Sequence, residues 1–143
     1  MILYMDTSCL AKIYLLESDS AQAREQVTRA DSLITSLIAY PEMRGVFARL
    51  ERERRLTPLA CQKVLRQFES DWQNIAKIEF STSVSQDAGN LAALYGLRGL
   101  DAIHLASAVS IIDRVHDSRY LFLSADKKLN AAARKEGFKE IPA

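Results

Sequence analysis

The feature that most restricts the fold is an alternation. Short apolar runs at 2–5, 33–35, 78–81, 120–123 and 138–141 are separated by stretches rich in helix-forming residues. A brief apolar run without polar interruption is the pattern of a strand buried on both faces. Strands linked through helices pair in parallel, because a parallel neighbour needs a crossover. The expected architecture is a three-layer α/β domain with a central parallel sheet of about five strands flanked by helices. Helices are expected from just after Asp6 to about Glu17, over 20–30, and from Ser36 to about Arg55, with Pro41 as a kink or the true start. Another opens at Thr57-Pro58 and places Leu65, Phe68 and Trp72 on one face; a further one over 84–95 closes on Gly96. Asp101 is expected to cap a helix over 102–112, His116 to sit at a helix C-terminus, and a last helix over 126–135 to end at Gly137.

A length of 143 residues suits one domain, 1–143, large enough to bury a core without staples. A hydrophobic fraction of 48%, a charged fraction of 26%, 5 Gly and 3 Pro exclude disordered and fibrous chains. Lys+Arg 19 against Asp+Glu 18 leaves a net charge of +1, so any nucleic-acid contact must be local. Cys9 and Cys61 have neither zinc spacing nor disulfide density and read as core thiols in a reducing compartment. The first apolar stretch lacks a basic flank and is broken by Asp6 and Lys12, which argues against a signal peptide. With no apolar segment near the roughly 20 residues a bilayer requires, the expectation is a cytoplasmic protein without membrane contact.

Three acids stand at strand-to-helix transitions: Asp6 after the first run, Asp101 after GLRGL, and Asp126 after YLFLSA. Taken singly, each is first of all a helix N-cap. Taken together they fall at the carboxyl edge of a parallel sheet, where ligands bind and where residues distant in sequence meet. Glu42 joins them, because its helical neighbours Ile38, Gly45 and Val46 give it an apolar or small-residue face. Glu51 and Glu53 lie among arginines and read as a solvated helix end. Up to four carboxylates in one pocket repel one another unless a cation is present, and hard oxygen donors select Mg²⁺ or Mn²⁺. That donor set points to metal-assisted phosphoryl transfer, with no Walker loop, GxGxxG or Ser/His/Asp triad to compete.

These residues carry a resemblance. MDTSCLAKIY, the Glu of AYPEMRGVFARL, GLDAIHLASA and LSADKKL resemble, in order and across nearly the whole chain, the four acidic motifs of PIN-domain ribonucleases, and in length most of all the VapC toxins. The resemblance implies a Mg²⁺- or Mn²⁺-dependent endoribonuclease. It assigns Asp6, Glu42, Asp101 and Asp126 to the catalytic acidic cluster, with Asp6 and Asp101 as direct metal ligands and Ser8 and Ser124 as supporting hydroxyls. Asp126 is expected to act through water, and here Ser124 stands where Thr is more usual. Held by Asp6 and Asp101, such an ion acidifies a water for attack on an RNA phosphodiester, with Glu42 or Asp126 positioning that water. The resemblance further implies a homodimer and a cognate antitoxin that covers the acidic pocket.

Substrate grip is expected from Arg44, Arg49, Arg52, Arg54 and Arg55, and from Lys127, Lys128, Arg134 and Lys135 near the last acid; such groups bind phosphate without reading sequence. His104, one turn after Asp101, reads as a satisfied core residue that lies close enough to touch the site. The stripe of Met43, Phe47 and Leu50 suggests a second apolar face on the Glu42 helix, suited to a dimer or partner helix. Two other classes remain: a silent RNA-binding or scaffold PIN domain, and a housekeeping PIN nuclease. An aspartyl-phosphate phosphatase ranks lower, because Ser8 occupies the place where its second Asp belongs.

Overall fold

The computed structural model describes residues 1–115, 119–139 and 141. At its centre, strands β1 (Ile2–Met5), β2 (Ser32–Ser36), β3 (Ala76–Ile78) and β4 (Tyr120–Leu123) form a sheet in the order β3-β2-β1-β4, with every pairing parallel. Around it lie helices α1 (Thr7–Tyr14), α2 (Ser20–Arg29), α3 (Ala39–Arg52), α4 (Pro58–Trp72), α5 (Thr82–Tyr95), α6 (Gly99–Val109) and α7 (Lys127–Lys135). The architecture is the α/β arrangement that the alternation demanded. None of the described helices is long and apolar enough to cross a membrane.

Successive residues of a strand face opposite sides, and β1 uses both. Leu3 and Met5 join Cys9, Ala23 and Leu121 on the side covered by α1 and α2. Tyr4 points the other way, into a cluster with Phe122, Leu91 of α5, Leu105 of α6 and Leu129 of α7. A third cluster lies off the sheet, where Leu10 of α1 meets Met43, Phe47 and Leu50 of α3 and Phe68 and Trp72 of α4. The apolar stripe of α3 is therefore consumed inside the chain. It does not form the spare docking face that its sequence suggested.

From β1 the chain steps outward to β2 and β3, then returns past β1 to place β4 on its other side. The connections leaving β1 and β4 diverge at that reversal and open a crevice at the carboxyl ends of the two strands. Asp6 follows β1 and Ser124 follows β4, so both stand at its mouth.

The local signals act as their chemistry dictates. Thr57 accepts the Ala60 N–H at 3.1 Å and Ser81 accepts the Val84 N–H at 3.1 Å, each replacing a bond that a first helical turn lacks. Gly96, with φ of +63°, ends α5 in the left-handed conformation. Cys9 and Cys61 are free and buried, as expected.

Several boundaries differ from expectation. Ser36 still belongs to β2, so α3 begins only at Ala39, and Pro41 is its third residue, where a missing N–H costs nothing. β3 lies two residues earlier than the apolar run suggested. Asp101 is not a cap, because α6 starts at Gly99 behind Arg98 and places the carboxylate within the first turn; the helix also stops at Val109. Among the described residues the sheet has four strands. The expected fifth contributes one parallel bridge, Lys139 to Leu121, within a run bounded by the poor strand formers Gly137 and Pro142. His116 lies outside the described residues.

Candidate active site

Asp6 is the hub of the crevice. Its Oδ1 caps α1 by accepting the Cys9 N–H at 3.0 Å. The Ser8 hydroxyl donates to Oδ1 and Oδ2 at 2.7 and 2.9 Å, and Ser124 Oγ donates to Oδ2 at 2.6 Å. The residue is only 3% exposed. Burial pushes its carboxyl above the ordinary aspartate value, although the hydrogen bonds from Ser124, the Cys9 N–H and Ser8 all pull the other way. An acid whose ionised form is disfavoured by burial is a place where a cation is welcome.

Glu42 comes from the first turn of α3, and two donors converge on one of its oxygens. Thr7 Oγ1 donates to Oε1 at 2.7 Å, and His104 Nε2 lies 2.9 Å from the same atom. On its far side, Nδ1 of His104 is 2.9 Å from the hydroxyl of the fully buried Tyr4. Burial pushes the Tyr4 phenol well up, so its oxygen keeps its proton and can serve Nδ1 as donor or acceptor. An ionised Oε1 can only accept, so the geometry calls for an N–H on Nε2 of His104, which in a neutral ring leaves Nδ1 to accept from the Tyr4 hydroxyl. Burial works against the ionised form of Glu42, but the hydrogen bonds of His104 and Thr7 outweigh it and hold the carboxyl below its usual range.

Asp101 enters from α6, where a helix N-terminus favours its negative charge. Its Oδ2 is 3.4 Å from Arg98 Nε, a weak tie because the arginine side chain is 85% exposed. Asp6, Glu42 and Asp101 line a single cleft of about 480 Å³, together with Thr7, Ser8 and His104. Lys12, Arg49, Arg55 and Arg98 also line it, with the acid Glu17 and several apolar side chains.

Not every expected residue joins them. Asp126 does not line the cleft; its Oδ1 caps α7, accepting N–H groups from Lys128 at 2.8 Å and Leu129 at 3.0 Å. Its contact with the site is indirect: its own N–H donates to Ser124 Oγ at 3.0 Å, the hydroxyl that holds Asp6. Arg44 binds Tyr40 Oη at 2.9 Å and faces Glu69, while Lys128 Nζ donates to Gly96 O at 2.7 Å. Arg52 and Lys127 are exposed and lie outside the cleft wall. Lys12, tied to Asp19 at 2.9 Å, and Arg98 line the cleft instead. Thr7 was also missed, although it stands beside Asp6 in the DTS triplet, and His104 had a signal in its i, i+3 spacing from Asp101.

The donor chemistry fits a hard divalent ion. Among the described residues, no three His, Cys, Asp or Glu side chains converge into a ready-made cage. Mg²⁺ seldom needs one, since it keeps several waters and binds through one or two carboxylates and the substrate phosphate.

Known proteins share this organisation. Residues 3–135 match the PIN domain. Over 142 residues the chain is 32% identical to Ribonuclease VapC45 of Mycobacterium tuberculosis strain CDC 1551 / Oshkosh and to Ribonuclease VapC49 of strain ATCC 25618 / H37Rv; each match covers 99% of this chain and 96% of the relative. The chain therefore belongs to the PIN-domain family, and proteins named as VapC ribonucleases are among its relatives.

Proposed function

We propose that this chain is a Mg²⁺- or Mn²⁺-dependent endoribonuclease and acts as the toxin of a type II toxin–antitoxin pair. The observation that carries the reading is that Asp6, Glu42 and Asp101, from three separate elements, line one cleft to which Lys12, Arg49, Arg55 and Arg98 also contribute.

Asp6 and Asp101 would hold the ion, with Glu42 beside them. When bound, the ion supplies positive charge to the phosphoryl oxygens and acidifies water. The chain's own residues do the remaining work. Lys12, Arg49, Arg55 and Arg98 bind and orient the phosphate backbone without reading its bases. Glu42, kept ionised by Thr7 and His104, orients the attacking water through its remaining oxygen. Ser8 and Ser124 hold Asp6 rigid, so little reorganisation is needed when charge develops. The reading extends to a cytoplasmic homodimer held by a cognate antitoxin over the cleft; the relatives' names support its ribonuclease part.

The decisive variants are Asp6→Asn and Asp101→Asn. In Mg²⁺ or Mn²⁺, each is expected to lower RNA cleavage at least about 100-fold, the scale on which loss of transition-state charge stabilisation falls, while the circular dichroism of the fold stays unchanged. Cleavage at the wild-type rate by both variants overturns the reading. A wild-type chain that retains RNA without cutting it would instead be a silent binder.

A further inference from the structure

The two oxygens of Glu42 are unequally treated. Both donors, Thr7 Oγ1 at 2.7 Å and His104 Nε2 at 2.9 Å, end on Oε1, while Oε2 has no hydrogen-bond partner among the described residues. Thr7 and His104 also touch each other, at 3.0 Å between Oγ1 and Nε2. Tyr4 closes the series from inside the sheet, where its ring stacks on Phe122 at 5.3 Å and meets His104 edge-on. The imidazole is 2% exposed and the Glu42 side chain 23%. A rigid, buried arm thus reaches out from the core and ends on one atom of a half-exposed carboxylate.

We propose that Tyr4, His104 and Thr7 are positioning residues: they pin Oε1 of Glu42 and thereby leave Oε2 as the single oxygen available to ion, water or phosphate in the cleft. The inference rests on the nuclease reading and deepens it. Two donors on one oxygen fix the plane of the carboxylate as well as its position, which a single bond would not do. Tyr4 matters only through His104: its hydroxyl lies 2.9 Å from Nδ1, and an Nδ1 that accepts there leaves the ring proton on Nε2, facing Oε1. Partners behind a metal-site carboxylate typically change metal affinity or activity by about 10- to 100-fold when removed.

The test uses the full chain. Thr7→Val, nearly the same shape without the hydroxyl, is expected to weaken Mn²⁺ binding about tenfold by electron paramagnetic resonance and to lower kcat about 10- to 100-fold, with KM for RNA within about twofold. Thr7→Ser recovers most of both losses. On a Glu42→Gln background, Thr7→Val adds less than about twofold, since the arm acts only through that carboxylate. A single variant with unchanged kcat and Mn²⁺ affinity, or a full additive loss in the double variant, overturns the inference.

A second readout needs neither metal nor RNA. In the metal-free protein, the ¹⁵N resonances of His104 should show a proton on Nε2 and an acceptor at Nδ1. Tyr4→Phe should move the Nδ1 signal, and Glu42→Gln the Nε2 signal. A proton found on Nδ1, or signals that ignore both substitutions, overturns the inference. A wild-type chain that neither binds Mn²⁺ nor cuts RNA would sink the nuclease reading, and the imidazole spectrum would still decide the arm.

Discussion

The hydroxyl of Ser124 accepts the Asp126 N–H at 3.0 Å and donates to Asp6 Oδ2 at 2.6 Å, so one small side chain joins the last expected acid to the first. Ser124→Ala leaves Oδ2 with only the shared donor from Ser8, in a site almost closed to water. Leaving a buried acceptor short of its partner costs about 1–3 kcal/mol. The urea midpoint of the metal-free protein should fall accordingly, and Ser124→Thr, which keeps the hydroxyl, should recover it; an unchanged midpoint in the alanine variant would show that the bond contributes nothing. Asp6 and Glu42 were legible in the sequence because a carboxylate at a strand end, or on an apolar helix face, gives up solvation and so needs a charge partner nearby. Asp101 reaches the cleft from a helix that follows α5, without the strand expected before it. Asp126 caps α7 and stands outside the cleft wall, a distinction the sequence hides because a cap and a ligand present the same residue at the same spot. The Thr7 and Tyr4 contacts were invisible, since partners 35 and 100 residues apart leave no local pattern.

At the scale of elements, α3 divides its arginines by direction. Arg49 and, just past the helix, Arg55 line the cleft, whereas Arg44 turns toward Tyr40 and Glu69 on α4. Each lost phosphate contact to single-stranded RNA reduces the slope of log K against log salt by roughly 0.7. Arg49→Ala with Arg55→Ala should therefore flatten the slope by about 1.4 in a binding titration, while Arg44→Ala and Lys128→Ala leave it as it was. The reverse pattern would move the RNA track to the far side of α3. The sequence showed the arginine cluster but not this division, because helical phase relative to the sheet is set by what α3 buries: Met43, Phe47 and Leu50 turn inward and carry the others with them. Elements with chemical punctuation, such as α4 behind Thr57-Pro58 or α5 before Gly96, stood where they were expected. β3 and the start of α3 did not, because an apolar run continues past the point where strand pairing ends.

Across the whole molecule, the strand reversal between β1 and β4 brings the end of a central strand, the first turn of α3 and the first turn of α6 to one cleft. No one of these elements contacts the other two through a single hydrophobic cluster; Met43 of α3 and Leu105 of α6 belong to different ones. A divalent ion held by Asp6 and Asp101 would therefore tie separately packed parts together, and its binding free energy would appear as stability of the entire chain. An ion present at a hundredfold excess over its Kd adds about 2.7 kcal/mol. For a chain of 143 residues, each kcal/mol raises Tm by roughly 2–8 °C, so Mn²⁺ should lift the melting transition well beyond the scatter of replicate scans. Asp6→Asn and Asp101→Asn should melt at the same temperature with Mn²⁺ as with chelator. If the wild-type transition is equally indifferent to Mn²⁺, these carboxylates do not hold the ion, and the proposed chemistry loses its centre.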